Sequence, residues 1–531
     1  MKNRCKNGLL QKTSFLFVFI LALPFQIFAQ VESVNEHMSK VGQAFFIINQ
    51  YYPDSIDTKE ITDEMIRTLV GELDPHSSYV PAEEVQAQSE PLAGNFEGIG
   101  IEFTILRDTL VVVTPVAGGP SEWVGIQAED RIVAVDGVAI SSPELTNQKV
   151  FDLLRGPKGT RVLLTVVRKR EKEPLQFQVV RDKIPIHSVD ADYWAAPGIR
   201  YIKLNKFALT TQEEFIEAFR HLEEMPKGLI LDLQGNGGGF MGAALFLAEQ
   251  FLKKGQLILY TEGKNKRRQE IKASGMGFFI NTPVVVLVDE RSASASEIVA
   301  GALQDWDRGV IVGRRSFGKG LVQQLFPLND GSELRLTVAR YHTPSGRVIQ
   351  SPYRMGEKEA YYRDFLERYE KGESFSRDSV HIPDSLVYRT LVEDRVVYGG
   401  GGILPDVFVP ADTTYFSSFY LQLARNGIVT EFMNDYLDKE RGYLSGLYKS
   451  FEDFDKQVPV ALVPFEGLLE YAATQGIVPE EKDLEVSEYH IRMQIKALMA
   501  SRLFGQEFFY RVINRVLPEY NKALEVINGL L

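Results

Sequence analysis

Cysteine is nearly absent: one in 531 residues, Cys5, which excludes a disulfide framework and any cysteine-ligated metal. Histidine is scarce as well, seven in all. His76, in the turn "LDPHSSYV", has no second histidine or carboxylate cluster beside it and reads as a cap or turn residue. Positive charge is not in excess, since the formal net charge is -12 and the pI about 5.3. That balance argues against a nucleic-acid binder, which carries a basic field or stripe. There is no internal repeat, no low-complexity segment and no call for a cofactor. The chain also lacks a hydrophobic run long enough to span a bilayer comfortably. The best one, "FLFVFILALPFQIF", follows a basic "MKNRCKNGLLQK" and ends at Ala29 before Gln30. It reads as a secretory signal peptide over 1–29, with an uncleaved anchor as the alternative. Export to the cell envelope follows.

The length calls for three or four domains, and the texture of the chain divides it. Ile61, Met65, Leu69 and Leu73 fall at i+4 spacing, so 30–92 reads as a small helical domain. From 93 to 183 short strands dominate: "GIGIEFTI", "TLVVVTPV", "DRIVAVDGVAI" and "TRVLLTVVRK", with one helical stretch at "TNQKVFDLLRG". This order resembles a PDZ domain. In that family the amides of a glycine-rich loop, here Gly98, Ile99, Gly100 and Ile101, capture a carboxyl terminus while the peptide adds as a strand. The plainer alternative is that these glycines make a bulge. From 184 to 412 strands and helices alternate as in an α/β core. "VVYGGGGILPD", at 396–406, reads as a glycine hinge beside that core. The segment 413–531 is helical with amphipathic stripes and reads as a packing or dimerisation element. The whole is a multidomain α+β protein.

The stretch "GRRSFGKGLVQQ" fits G-x-x-x-x-G-K at Gly313, Gly318 and Lys319, the front of a phosphate-binding loop. Gly320 stands where a Ser or Thr would hold magnesium, and no helix follows. "LVQQLFPLNDGSELRLTVARY" alternates around an Asn-Asp-Gly turn as a hairpin does. Lys319 therefore needs another role. It lacks a carboxylate within four residues, and a lysine acts as a general base for serine when desolvation lowers its pKa from roughly 10.4 toward about 7 to 8. "SASASE" places serines at a strand-to-helix junction, where helix-terminal amides can stabilise an oxyanion. Ser294 and Glu297 also form S-x-x-E, a capping box that needs no chemistry. In "LDLQGNGGGF" three glycines follow a buried strand, so their amides can face a carbonyl oxygen.

Together "SASASE", "FGKGLVQ", "LDLQGNGGG", "ARYHTPSGRVIQ" and "GGGGILPD", behind a PDZ-like segment, resemble a carboxyl-terminal processing (tail-specific) protease from about residue 60 to about 410. The resemblance implies a serine endopeptidase with a Ser/Lys dyad on a crotonase-like core. It implies Ser294 as nucleophile rather than Ser292 or Ser296, with Lys319, 25 residues on, as base. Gln323 falls on the glutamine that positions the lysine; the two can meet only if the chain bends between them, as Gly320 permits. The implied oxyanion hole is the amide of Ala295 with one from the glycine run, Gly238. Gln234 departs from the family's arginine and puts a local salt bridge in doubt. Arg155 matches an arginine implicated in coupling the PDZ domain to the active site, or is a helix C-terminal cation. The expected partners are protein substrates with accessible C-terminal tails; an adaptor and a homodimer are left open, and a periplasmic location rests on the resemblance. The competing readings are a catalytically inactive PDZ scaffold and a crotonase-like acyl-CoA enzyme. The signal peptide speaks against the second, because coenzyme A thioesters are cytosolic.

Overall fold

The computed structural model describes residues 34–531 apart from 107, 117, 170, 265 and 266. The signal-peptide reading of 1–29, and Cys5 with it, lies outside the described residues. Among the described residues no helix is long and apolar enough to cross a membrane. The described residues fall into two compact units, one ending at Val70 and the other running from Gly71 to Leu531.

In the first unit α1 (residues 34–51) stops before Pro53, which cannot continue a helix. The second helix, α2 (Thr58–Gly71), starts behind Asp57, whose carboxylate accepts from the amides of Lys59 and Glu60 at 2.9 and 3.1 Å. Met65 and Leu69 are exposed; the i+4 spacing predicted the helix but not a buried face.

The second unit begins with β1 (Ser78–Val80) and α3 (Ala82–Ala93), which ends on Gly94 in the left-handed conformation. Short strands follow: β2 (Asn95–Gly98), β3 (Ile101–Leu106), β4 (Thr109–Pro115), β5 (Arg131–Val135), β6 (Val138–Ala139), β7 (Arg161–Val167), β8 (Leu175–Val180) and β9 (Asp182–Pro185). Between them lie α4 (Pro120–Trp123) and α5 (Asn147–Leu154). The order β3-β4-β5-β7-β8 leaves β3 at an edge, with β6 on β5, while β2 and β9 close a separate ladder. Leu110, Ile132, Val150 and Leu164 fill the interior.

The α/β region carries β10 (Val189–Ala196), β11 (Ile199–Leu204), α6 (Thr211–Arg220), β12 (Gly228–Asp232), α7 (Met241–Glu249), β13 (Leu257–Gly263), β14 (Arg268–Lys272), β15 (Val284–Val288), α8 (Ala295–Asp305) and β16 (Val310–Gly313). After these come β17 (Leu321–Pro327), β18 (Glu333–His342), α9 (Lys358–Glu370), β19 (Val387–Arg389), β20 (Val396–Tyr398) and β21 (Val407–Phe408). The central sheet runs β10-β11-β12-β15-β16-β21 and is parallel from β11 onward. Every residue of β12 and β15 is buried, as strands covered on both faces must be. A second sheet, β1-β18-β13-β14 with β17 on β18, holds the hairpin expected around Asn-Asp-Gly: Pro327 faces Glu333. Strand β1, far upstream in sequence, pairs with β18 from Ser78 opposite Arg335 to Val80 opposite Glu333.

The glycine run after β20 is no hinge. Gly400 and Gly402 donate to Val348 and Ile349 carbonyls, both at 2.7 Å, and Gly401 accepts from Arg315. A Cβ on Gly318 would stand 2.9 Å from the Gly402 amide nitrogen, so the run is a close-fitting back wall for the lysine loop.

Seven helices complete the chain: α10 (Ser418–Arg425), α11 (Ile428–Leu447), α12 (Phe451–Gln457), α13 (Phe465–Thr474), α14 (Glu481–Phe504), α15 (Gln506–Ile513) and α16 (Pro518–Leu530). Most pack on one another around Phe432, Phe454 and Leu468. The last one turns back: Tyr520, Ala523 and Ile527 cover Ile230, Val285, Leu287 and Val312 of the central sheet.

Candidate active site

Strand β15 ends at Val288, and the turn that follows delivers three serines to three different environments. Ser292 is fully buried and donates to the Leu233 carbonyl at 2.8 Å. Ser296 is fully buried and donates to the Asn236 carbonyl at 2.9 Å. Ser294 lines a cleft of about 570 Å³ that also takes in Lys319, Gln323, Gly237, Gly239 and Ala295. Its backbone sits at φ 55° and ψ −109°, a strained conformation for a residue with a Cβ. The capping box is present too, the Ser294 amide donating to Glu297 Oε2 at 2.8 Å. The cap and the cleft-lining residue are the same serine.

Lys319 lies two residues before β17, so a strand and not a helix follows it, which removes the phosphate-loop reading. Its amine donates to Gln323 Oε1 at 2.9 Å. The approach is made by a β-bulge between Val322 and Gln323, which re-aims a side chain on the bulged strand. Gly320 does not adopt a positive φ; it is small because a Cβ would fall 2.8 Å from the Gln350 amide. Burial lowers the Lys319 pKa, and the charges of Asp74 and Glu297 partly offset that.

Several supports carry no motif. Glu297 is fully buried and accepts from Ser294 N, Lys319 N at 2.9 Å, Gly318 N at 2.7 Å and Ser316 Oγ at 2.6 Å. Burial pushes its carboxyl up to about 7 while these donors pull it back. The S-x-x-E spacing signals only the first of the four bonds. The Tyr341 hydroxyl lies 2.9 Å from the Lys319 carbonyl and 3.2 Å from the Ser294 carbonyl and shares its one proton between them, and Phe317 N donates to the Ser292 carbonyl at 3.0 Å, so the two loops are joined by more than Glu297. Gln323 Nε2 in turn donates to the His76 carbonyl. The His76 ring is itself kept neutral, its pKa lowered to about 4 by burial and by the Lys319 charge.

The glycine run stands against the serine. A Cβ on Gly238 would meet Ser294 Cβ at 2.8 Å and the Ala295 amide at 3.0 Å. Gly238 and Ala295 are thus brought together, but the Gly238 amide donates to Asn236 Oδ1 at 2.9 Å. To reach an oxyanion it must first leave that partner. Beside Gln234, Lys203 of β11, opposite Asp232 of β12, donates to Asp232 Oδ1 at 3.0 Å and to the Gln234 carbonyl. Among the described residues no cluster of three His, Cys, Asp or Glu could hold a metal ion.

In the strand-rich region Gly98 ends β2, Ile99 is buried, Gly100 takes φ 75° and Ile101 opens β3. The Ile99 carbonyl accepts from Ser121 N at 3.0 Å and Oγ at 2.7 Å, which anchors the loop. Arg155 is the C-cap of α5 and also reaches out: Nη1 meets Glu90 of α3 at 2.7 Å, and the guanidinium lies over Phe96 and Phe151. Helix α3 lines the cleft through Ser89, Leu92 and Ala93, so the cap residue is also a bridge.

Comparison with known proteins places this geometry. Residues 198–353 match the model of peptidase family S41, 111–168 that of the PDZ domain, and 419–505 that of a family of unknown function (DUF8443). The chain is 36% identical over 324 residues to the carboxy-terminal-processing protease of Bartonella bacilliformis, covering 60% of this chain and 74% of that one. It is 32% identical to the carboxy-terminal processing protease CtpB of Bacillus subtilis, covering 60% of this chain and 67% of that one. A solved structure titled photosystem II D1 C-terminal processing protease aligns over 70% of this chain and 88% of its own, at 29% identity and a TM-score of 0.36. A serine and a half-buried lysine in one cleft, a PDZ domain upstream and the two curated relatives lead to one assignment: the chain belongs to the carboxy-terminal processing proteases of peptidase family S41, which makes it a serine peptidase.

Proposed function

We propose that the protein is an endopeptidase that recognises the C-terminal tails of exported or envelope proteins and cleaves them with a Ser294/Lys319 dyad. One observation carries this reading: Ser294 shares its cleft with a desolvated lysine whose amine is bonded to the neutral amide of Gln323 and not to a carboxylate. Such an amine can be neutral when it is needed as a base. Ser294 Oγ attacks the scissile carbonyl carbon while its proton passes to Lys319 Nζ. The developing oxyanion faces the Ala295 amide, joined by Gly238 once Asn236 is released. Lys319 then returns the proton to the departing amine, and water repeats the sequence on the acyl-enzyme. The PDZ domain, over 93–183, would hold the free carboxylate at the amides of Gly98 to Ile101, and Arg155 would report occupancy to α3. The protease core is taken as 184–412, between that PDZ domain and a helical 413–531, with 30–92 taken as the N-terminal helical domain.

Because burial lowers the Lys319 pKa, activity should rise with pH through a limb below the ordinary lysine value. Below that limb the amine is protonated and cannot accept from Ser294. A flat profile from about pH 6 to 10 would remove lysine as the base.

Recognition is tested with one cleavable protein bearing an unstructured apolar tail, compared with its C-terminally amidated twin. Amidation removes the charge and leaves every side chain. At subsaturating substrate, where binding differences are visible, the free tail should be degraded faster, and deleting 95–182 should shrink the preference. Equal rates would leave the dyad standing and remove the claim of C-terminal recognition.

A further inference from the structure

The amide that holds Lys319 is itself held, by a turn some 250 residues upstream. Gln323 Nε2 donates to the His76 carbonyl. That carbonyl is placed by Asp74, whose Oδ1 accepts from His76 N and Ser77 N, both at 3.0 Å, and whose Oδ2 accepts from Ser77 Oγ at 2.5 Å. Two bonds tie the turn to β18: Thr337 Oγ1 donates to Asp74 Oδ1 at 3.0 Å, and Thr337 N to Ser77 Oγ at 3.1 Å. Thr337 is the cross-strand partner of Gln323. The contacts therefore close on themselves, from Gln323 to the turn, from the turn to Thr337, and across the ladder back to Gln323.

We propose that the Asp74–Ser77 turn belongs to the apparatus of the catalytic base, with Asp74 a positioning residue that sets Lys319 through His76 and Gln323 and adds a negative charge to its surroundings. This rests on the dyad reading above. An isolated turn would need no buried aspartate. Asp74 and Ser77 are both buried, and a buried carboxylate is costly unless every lone pair is used. Burial works to raise the Asp74 carboxyl, but its donors Ser77, His76 and Thr337 outweigh that and hold it below the usual range. It is therefore ionised at working pH. The charged and titratable groups around Lys319 are Asp74 and neutral His76 from the turn, Glu297 from α8, and Arg335 of β18, which lines the same cleft. Asp74 and Glu297 raise the lysine's pKa against desolvation.

Charge and position can be separated. Asp74→Asn retains an oxygen for the two amides but loses the charge. Its acid limb in kcat/KM should move to lower pH, with KM unchanged. Ser77→Ala keeps the charge and loosens the turn, so kcat should fall about tenfold with the limb where it was, since small misplacements of a base are costly. Both are measured on the full mature chain with the tailed substrate, beside Lys319→Ala. An Asp74→Asn limb identical to the parent, or a Ser77→Ala enzyme with parental kcat, overturns the proposal. Activity retained by Lys319→Ala would instead overturn the dyad on which it rests.

Discussion

Ser294→Ala and Lys319→Ala should each lower kcat by about 10⁴-fold or more, the size of loss seen when a member of a nucleophile–base pair is removed. Lys319→Arg should fail as completely, because a guanidinium does not deprotonate in the working range. The chemistry leaves no spare group. Ser292 and Ser296 are fully buried with their hydroxyls committed to backbone carbonyls, so neither can replace Ser294. His187 is exposed and His342 lies stacked on Tyr260 with ring centroids 4.4 Å apart; alanine at either should leave turnover near the parent. A fluorophosphonate probe gives an independent check, because it should label the parent and not Ser294→Ala. Turnover surviving in the lysine variants, or lost with a histidine, would assign the base elsewhere.

Glu297→Gln should cost about 100-fold in kcat and about 3 kcal/mol in stability, the scale of leaving buried donors without an acceptor. The substitution keeps shape and volume. It replaces one acceptor oxygen by an NH₂ facing donors: Ser294 N and Lys319 N on one side, Gly318 N and Ser316 Oγ, which itself accepts from Ile403 N, on the other. Whichever way the amide turns, one pair of donors meets another donor. The serine loop and the lysine loop would then be held together by Tyr341 and by the bond from Phe317 N to the Ser292 carbonyl. Steady-state kinetics with thermal unfolding measure both effects, and an enzyme of parental rate and Tm would show that Glu297 does not join the loops. Tyr341→Phe, which removes only the hydroxyl's tie, should cost less, about tenfold in kcat.

What could be read along the chain was whatever announces itself by side-chain type and spacing. The Asn-Asp-Gly turn gave away the β17–β18 hairpin, the alternation of strands and helices gave away the α/β sheet, and "SASASE" and "FGKG" pointed to a serine and a lysine that share one cleft. The supports were less visible, for definable reasons. His76 acts through a carbonyl, which every residue possesses, so nothing in its identity marks it. Glu297 looks like a helix cap because one of its four bonds is local; the other three depend on a loop about 20 residues away being folded against it. Lys203 meets Asp232 only because β11 and β12 pair in parallel in that register. Asn236 sits inside a glycine-rich stretch where the glycines attract attention, and its grip on the Gly238 amide needs coordinates to be seen. The run at 399–402 looks loose by composition, yet the same missing side chains let two backbones approach closely.

The packing of α16 over the central sheet has a consequence in time. A ribosome delivers residues 294 and 319 well before residues 520–527. Until then Ile230, Val285, Leu287 and Val312, covered by Tyr520, Ala523 and Ile527 in the finished fold, present one bare apolar face. The central sheet, whose β15 leads into the serine turn and whose β16 leads into the lysine loop, cannot settle while that face is uncovered, and pairing β1 with β18 is itself a long-range event of the slow kind. An unfinished chain would thus hold the chemical groups of a protease without the rigid frame that lets them work. The sheet that frames the site is thus complete only once the last helix has been made and packed.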